Sequence, residues 1–77
     1  MATKHKCSRE GARMRRLRIR LQLTQEGLAH LVGVTTHTIW RLEHGSVFNP
    51  HLETLRAIAK ALGVSVGYFL ESGGGDH

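Results

Sequence analysis

The chain is short of the residues that staple, interrupt or anchor a fold. It has one cysteine, Cys7, so no internal disulfide can form. That usage suits a reducing compartment, and Cys7 reads as an idle thiol. There is a single proline, Pro50, and low complexity is confined to the glycines of the closing SGGGDH. No internal repeat is present. The start, MATKHKCSRE, lacks the apolar stretch of a signal peptide. No apolar run approaches the ~18 residues of a membrane span. A cytoplasmic protein without a membrane segment is therefore expected. At 77 residues it forms one domain. A chain of this size buries only roughly 60% of its unfolded surface, so its core must be efficient or a partner must help.

Acidic residues are also scarce, with six Asp and Glu against 11 Lys and Arg. The imbalance lies at one end. Residues 1–22 hold Lys4, Lys6, Arg9, Arg13, Arg15, Arg16, Arg18 and Arg20 against Glu10 alone. The remainder is slightly acidic. A basic block on a small domain points to a polyanion, either nucleic acid or an anionic membrane surface. Membrane binding fits poorly, because the apolar face of the first helix is needed for the core.

Residues 1–9 are polar, basic and aperiodic, and read as a flexible arm. A first helix is predicted from Glu10 to Leu21, with Met14, Leu17 and Leu21 on one face. Thr24 is the N-cap of a second, Gln25 to Val32, whose apolar face is Leu28, Ala29, Leu31 and Val32. Gly27 weakens it by roughly 1 kcal/mol, and Gly33 ends it in a left-handed conformation. Thr35 caps a third helix, Thr36 to His44, with Ile39 and Leu42 inward, and Gly45 is expected to end it as Gly33 ends the second. After the loop 46–49, Asn49 caps a fourth helix and Pro50 enters its first turn. Leu52, Leu55, Ile58, Ala59 and Leu62 form its stripe, and Gly63 stops it. Ser65 caps a last helix, Val66 to Leu70. Residues 72–77 read as a flexible glycine-rich tail. The domain proper is thus 10–71, all-α, with five helices and no strands.

Three constraints converge on Gly33. Ala29 is small, so two helices can approach. Gly33 turns the chain at positive φ without strain. Val34 and Ile39 fill the wedge between the helices. Together they specify a helix-turn-helix, which presents its second helix to the DNA major groove. With Ile39 and Leu42 inward, Thr36, His37, Trp40 and Arg41 lie elsewhere on that helix. Thr36 and His37 stand in its first turn, the end that enters a groove first. Arg41 shares a face with His37 four residues earlier, and an arginine there can pair with guanine O6 and N7. Trp40 could stack on a sugar or thymine methyl, donate its N–H to a phosphate, or pack on the loop around Phe48.

Six histidines invite a metal reading. His30, His37, His44 and His51 recur every seven residues, but the breaks at Gly33 and Gly45 should put each on a different element. No HExxH, cysteine cluster or catalytic pair is present. Neither a metal, a cofactor nor an enzymatic activity is expected.

The chain resembles the phage repressor and Cro-like helix-turn-helix proteins, the XRE family, over about residues 11 to 70. The resemblance rests on Gly11, Arg13-Met14-Arg15, Leu17-Arg18, Leu23-Thr24-Gln25, Leu28-Ala29 and Gly33-Val34-Thr35. It continues through Thr38-Ile39, Leu42-Glu43, Gly45, Asn49-Pro50, Leu52-Glu53-Thr54-Leu55, Ile58-Ala59, Ala61-Leu62-Gly63-Val64 and Tyr68-Phe69-Leu70. It implies a compact five-helix, lambda-repressor-like domain that binds double-stranded DNA as a dimer. It further implies that Thr36, His37 and Arg41 read base edges. Gln25 would touch a backbone phosphate, Asn49 would lie where loop amides approach phosphate, and Glu43 would pair with Arg18. Trp40 departs from the family, which usually has a smaller polar residue there.

The expected function is a sequence-specific transcription regulator, of repressor or controller type, on a pseudo-palindromic operator. Gln25, Thr35, Trp40, Ser46 and Asn49 are the expected backbone contacts, and Lys4, Lys6 and Arg9 the candidates for arm contacts. A homodimer would form through Val64, Val66, Tyr68, Phe69 and Leu70. The alternative is a DNA-binding antitoxin that neutralises a partner protein.

Overall fold

The computed structural model describes residues 7–70. Five helices follow one another, α1 (Arg9–Arg20), α2 (Gln25–Val32), α3 (Thr36–His44), α4 (Leu52–Leu62) and α5 (Val66–Leu70), and no strand occurs among the described residues. The expectations for Lys4, Lys6 and the 72–77 tail lie outside those residues.

Side-chain caps start the first three helices. Ser8 Oγ accepts from the Gly11 N–H at 2.9 Å, Thr24 Oγ1 from Gly27 at 2.8 Å, and Thr35 Oγ1 from Thr38 at 3.1 Å. Each satisfies an amide that the helix itself leaves unpaired. The Ser8 cap makes Arg9 the first residue of α1, so Arg9 belongs to the domain and not to the arm.

Left-handed residues end three helices. Gly33 (φ 87°) and Gly63 (φ 75°) close α2 and α4, and the next amides, of Val34 and Val64, return to the carbonyls of Ala29 and Ala59 at 3.0 Å. At the end of α1 the same position is held by Gln22 (φ 62°). Its N–H reaches Ile19 O at 2.9 Å, and that of Leu23 reaches Arg18 O at 3.0 Å, the paired bonds of a Schellman turn.

Two expected termini differ. Gly45 is extended (φ −74°, ψ 157°) and not left-handed. The chain leaves α3 outward, which lets Gly45 O accept the Ser8 N–H at 2.9 Å and fasten the start of α1 to the end of α3. Helix α4 starts at Leu52 with His51 as its cap residue and no side-chain cap bond. Asn49 and Pro50 therefore belong to the loop.

The core is Met14, Leu28, Ala29, Ile39, Leu42, Leu55, Ile58, Ala59, Leu62 and Phe69. Leu21, Leu31 and Leu52, expected on inward faces, are exposed. Leu21 and Leu52 sit at helix ends, beyond the crossings that bury their neighbours. On α2, Leu28 and Ala29 fill the contact and Leu31 faces out. Helix α3 packs on both α1 and α2, and α2 also packs on α4. At the α1–α3 crossing Gly11 is buried, and a Cβ there would overlap the Leu42 carbonyl oxygen and come within 3.2 Å of that of Glu43. Only glycine permits this approach.

Candidate nucleic-acid interface

Helix α3 has two chemically distinct sides. Ile39, Leu42 and Glu43 face inward, and Thr36, His37, Trp40 and Arg41 are exposed. A carboxylate among core residues is costly unless its oxygens are fully engaged. Glu43, only 1% exposed, meets that condition. Its Oε2 accepts from Arg18 Nε at 2.7 Å. Its Oε1 accepts from Arg18 Nη2 at 3.1 Å and from Gln25 Nε2 at 3.1 Å. Arg18 Nη1 donates to Leu23 O at 2.8 Å. The planar guanidinium thus grips the carboxylate with two bonds and the α1–α2 turn with a third. One charged group joins α1, the turn, the first residue of α2, and α3. Helix α3 is thereby fastened to α1 and to the start of α2.

Gln25 and Thr35, both expected at DNA phosphates, have internal tasks. One amide N–H of Gln25 is bonded to Glu43, and the side chain has a second N–H. Thr35 caps α3 and also shares a hydrogen bond with Thr38 Oγ1 at 2.9 Å. Ser46 and Asn49 are exposed in the loop that follows α3. Asn49 joins Thr38, Arg41, Leu42, Pro50, His51 and Thr54 around a cleft of about 320 Å³ between α3 and the start of α4. Arg41 stands at one side of this cleft and the first turn of α4 at the other. A helix start carries partial positive charge, which suits an anion.

His44 was not singled out by sequence reasoning as part of this surface. Trp40 stacks on it with ring centres 4.5 Å apart and planes at 24°. Trp40 is also aligned with His37 at 6.2 Å and 10°. His37 and His44 thus share α3, contrary to the expectation that each histidine would occupy its own element. Gly45 breaks the chain only after His44. The seven-residue spacing was the signal that both lie on one helical face. Phe48, whose loop was one candidate neighbour for Trp40, packs against Phe69 at 5.9 Å. No group of three metal-ligating side chains occurs among the described residues.

The expected dimer surface is only partly available. Phe69 is fully buried in its own domain, so it is removed from that set. Its ring fills the core between α4, the loop at Phe48 and Tyr68, which meets it edge-on at 5.5 Å. Val64 and Val66 are half-buried against the core, and Tyr68 and Leu70 are exposed. A further contact was unforeseen. Arg13 lies over the Tyr68 ring at 5.5 Å and donates to the Tyr68 carbonyl at 2.8 Å, tying α5 to α1. No helix of the described residues is long and apolar enough to cross a membrane.

The sequence matches a family model, that of the helix-turn-helix domain, over residues 11–67. The chain belongs to the helix-turn-helix family. Within it, the solved structures that resemble the chain are XRE, lambda-repressor-like DNA-binding proteins. The DNA-binding domain of the P22 C2 repressor is 31% identical (TM-score 0.75), covering 91% of this chain and 88% of that one. The restriction-modification controller protein C.AhdI from Aeromonas hydrophila is 32% identical (TM-score 0.71; 78% and 89%). SinR, a master regulator for biofilm formation solved in complex with DNA, is 26% identical (TM-score 0.74; 79% and 97%). Its N-terminal DNA-binding domain is that of Bacillus subtilis. In a SinR–SinI complex the chain spans 60% of the matched chain. A search among curated proteins found no significant match. This helix-turn-helix protein is a DNA-binding transcription regulator of the repressor type.

Proposed function

We propose that this regulator binds a pseudo-palindromic operator as a homodimer and reads its sequence with Thr36, His37 and Arg41. One observation carries the reading. The three side chains are exposed on the outer side of α3, while Arg18, Gln25 and Glu43 lock the inner side. A fixed frame lets a side chain meet a base edge without the ordering cost of a loose helix. In the two subunits, the paired helices would enter successive major grooves ~34 Å apart. The second N–H of Gln25, the loop residues Ser46 and Asn49, and the cleft beside Arg41 supply phosphate contacts, with Thr35 at the start of α3. Lys4, Lys6 and Arg9 extend the positive charge. Val64, Val66, Tyr68 and Leu70 form the contact between subunits. Such a protein works in the cytoplasm.

Selection from random duplexes tests this. A single enriched motif with two related half-sites is expected, with one dimer bound per site in sedimentation analysis. Binding should weaken steeply with salt. No enrichment at low salt would defeat the reading. SinR is found in complex with a second protein, SinI, so the antitoxin alternative has a precedent for a protein partner. Stoichiometric co-purification of a toxin with this chain, relieved of its effect on growth, would favour that alternative.

A further inference from the structure

Trp40 is the one tryptophan in the chain, and it is 47% exposed. Tryptophan is on average among the more buried side chains. It lies one residue before Arg41 and one turn after His37, on the side of α3 turned away from the core. The His44 ring stacks on the indole at 4.5 Å, and the His37 ring lies parallel to it farther off, at 6.2 Å. Contact with His44 restrains the indole before any ligand arrives, so its exposed edge has less rotamer freedom to lose on binding.

Apart from its one N–H, that edge is hydrocarbon and calls for an apolar counterpart. In a major groove the base edges display hydrogen-bond donors and acceptors and one apolar group, the C5-methyl of thymine. Arg41 and His37 can satisfy polar edges, which leaves the hydrocarbon part of the indole edge for the methyl. We propose that Trp40 is a specificity-determining residue that reads the C5-methyl group of a pyrimidine, next to the base pairs met by His37 and Arg41. The inference rests on the proposed reading that α3 enters the major groove. The same methyl chemistry is offered by thymine and by 5-methylcytosine.

The test uses the full chain and the duplex it selects. Each thymine is replaced in turn by deoxyuridine, which removes only the methyl, and each cytosine by 5-methylcytosine, which adds it. At one position per half-site, deoxyuridine should weaken binding by about fourfold, the factor for one buried methyl group. If the base there is cytosine, methylation should strengthen binding by a similar factor, which identifies the second source. In Trp40→Ala these effects should vanish, and in Trp40→Phe they should persist in part. The wild-type titrations stand even if a variant folds poorly. The inference is overturned if no methyl removed or added changes wild-type affinity, or if Trp40→Ala keeps the full effect. A drop in overall affinity without methyl dependence would mark a phosphate contact through the indole N–H, and also overturns it. Failure to select any duplex would instead defeat the DNA reading on which it rests.

Discussion

Gln25 at the first position of α2 and Glu43 near the end of α3 meet through a 3.1 Å hydrogen bond. Each belongs to a different helix of the helix-turn-helix, and the bond links the start of α2 to the end of α3. It is one of three donors on the same buried carboxylate.

Removing either charge should therefore be severe. Arg18→Ala or Glu43→Ala leaves the other ion buried and unpaired, at a cost of about 3–5 kcal/mol. That approaches the whole stability of a domain this small. Urea denaturation should show each single variant largely unfolded in mild conditions, and the double variant less destabilised than the two costs combined. A cost below about 1 kcal/mol for either single change would mean that the brace does not hold the fold.

Gly11→Ala sets two effects against each other. Alanine normally improves a helix interior by up to about 1 kcal/mol over glycine. Here its Cβ meets the α3 backbone, with the Glu43 carbonyl oxygen at 3.2 Å. Backbone cannot swing aside as a side-chain tip can, so a net loss of about 1–3 kcal/mol is expected. A rise in melting temperature would show that the crossing is looser than described.

Gln22→Gly should act the other way. Gln22 is the one non-glycine residue at positive φ among those described. Glycine removes the strain of a left-handed residue, about 1–2 kcal/mol, but loses some of this to greater freedom when unfolded. A gain of about 0.5–1 kcal/mol in thermal unfolding is expected. A loss would reveal a role for the glutamine side chain.

Arg41→Ala tests base reading directly. If Arg41 bonds guanine, the change should cost ~1–3 kcal/mol on the selected duplex and relax preference at one base pair. Binding to unrelated duplexes should change much less. An equal loss on all duplexes, with a shallower salt slope, would assign it to phosphate alone.

Much of the fold could be read because its signals were local. Thr24, Thr35, Gly33 and Gly63 each act on neighbours within a few residues, and each does so as expected. What escaped depends on distant partners or on atypical residues. Gly45 is extended, and its carbonyl is taken by Ser8, far away in sequence. Gln22 ends α1 without the glycine that would have marked it. Pro50 suited a first turn, yet helix α4 waits until Leu52. Phe69 looked like surface because periodicity cannot show that a short helix turns one ring inward while its neighbours stay out. At the candidate site, the positions of Thr36, His37 and Arg41 followed from the inward Ile39 and Leu42. The stacking of Trp40 on His44 did not, because it needs ring orientations and not only spacing. Gln25 was expected at phosphate, and its bond to Glu43 depends on a partner that only the folded chain brings near.

The division of α3 into two sides has a practical corollary. Ile39, Leu42 and Glu43 keep the helix in place, and none of them is among the residues proposed to meet DNA. Thr36, His37, Trp40 and Arg41 can then be exchanged as a set without disturbing what holds the domain together. A graft of four outward positions should transfer one operator preference to another, while the melting temperature stays close to that of the parent.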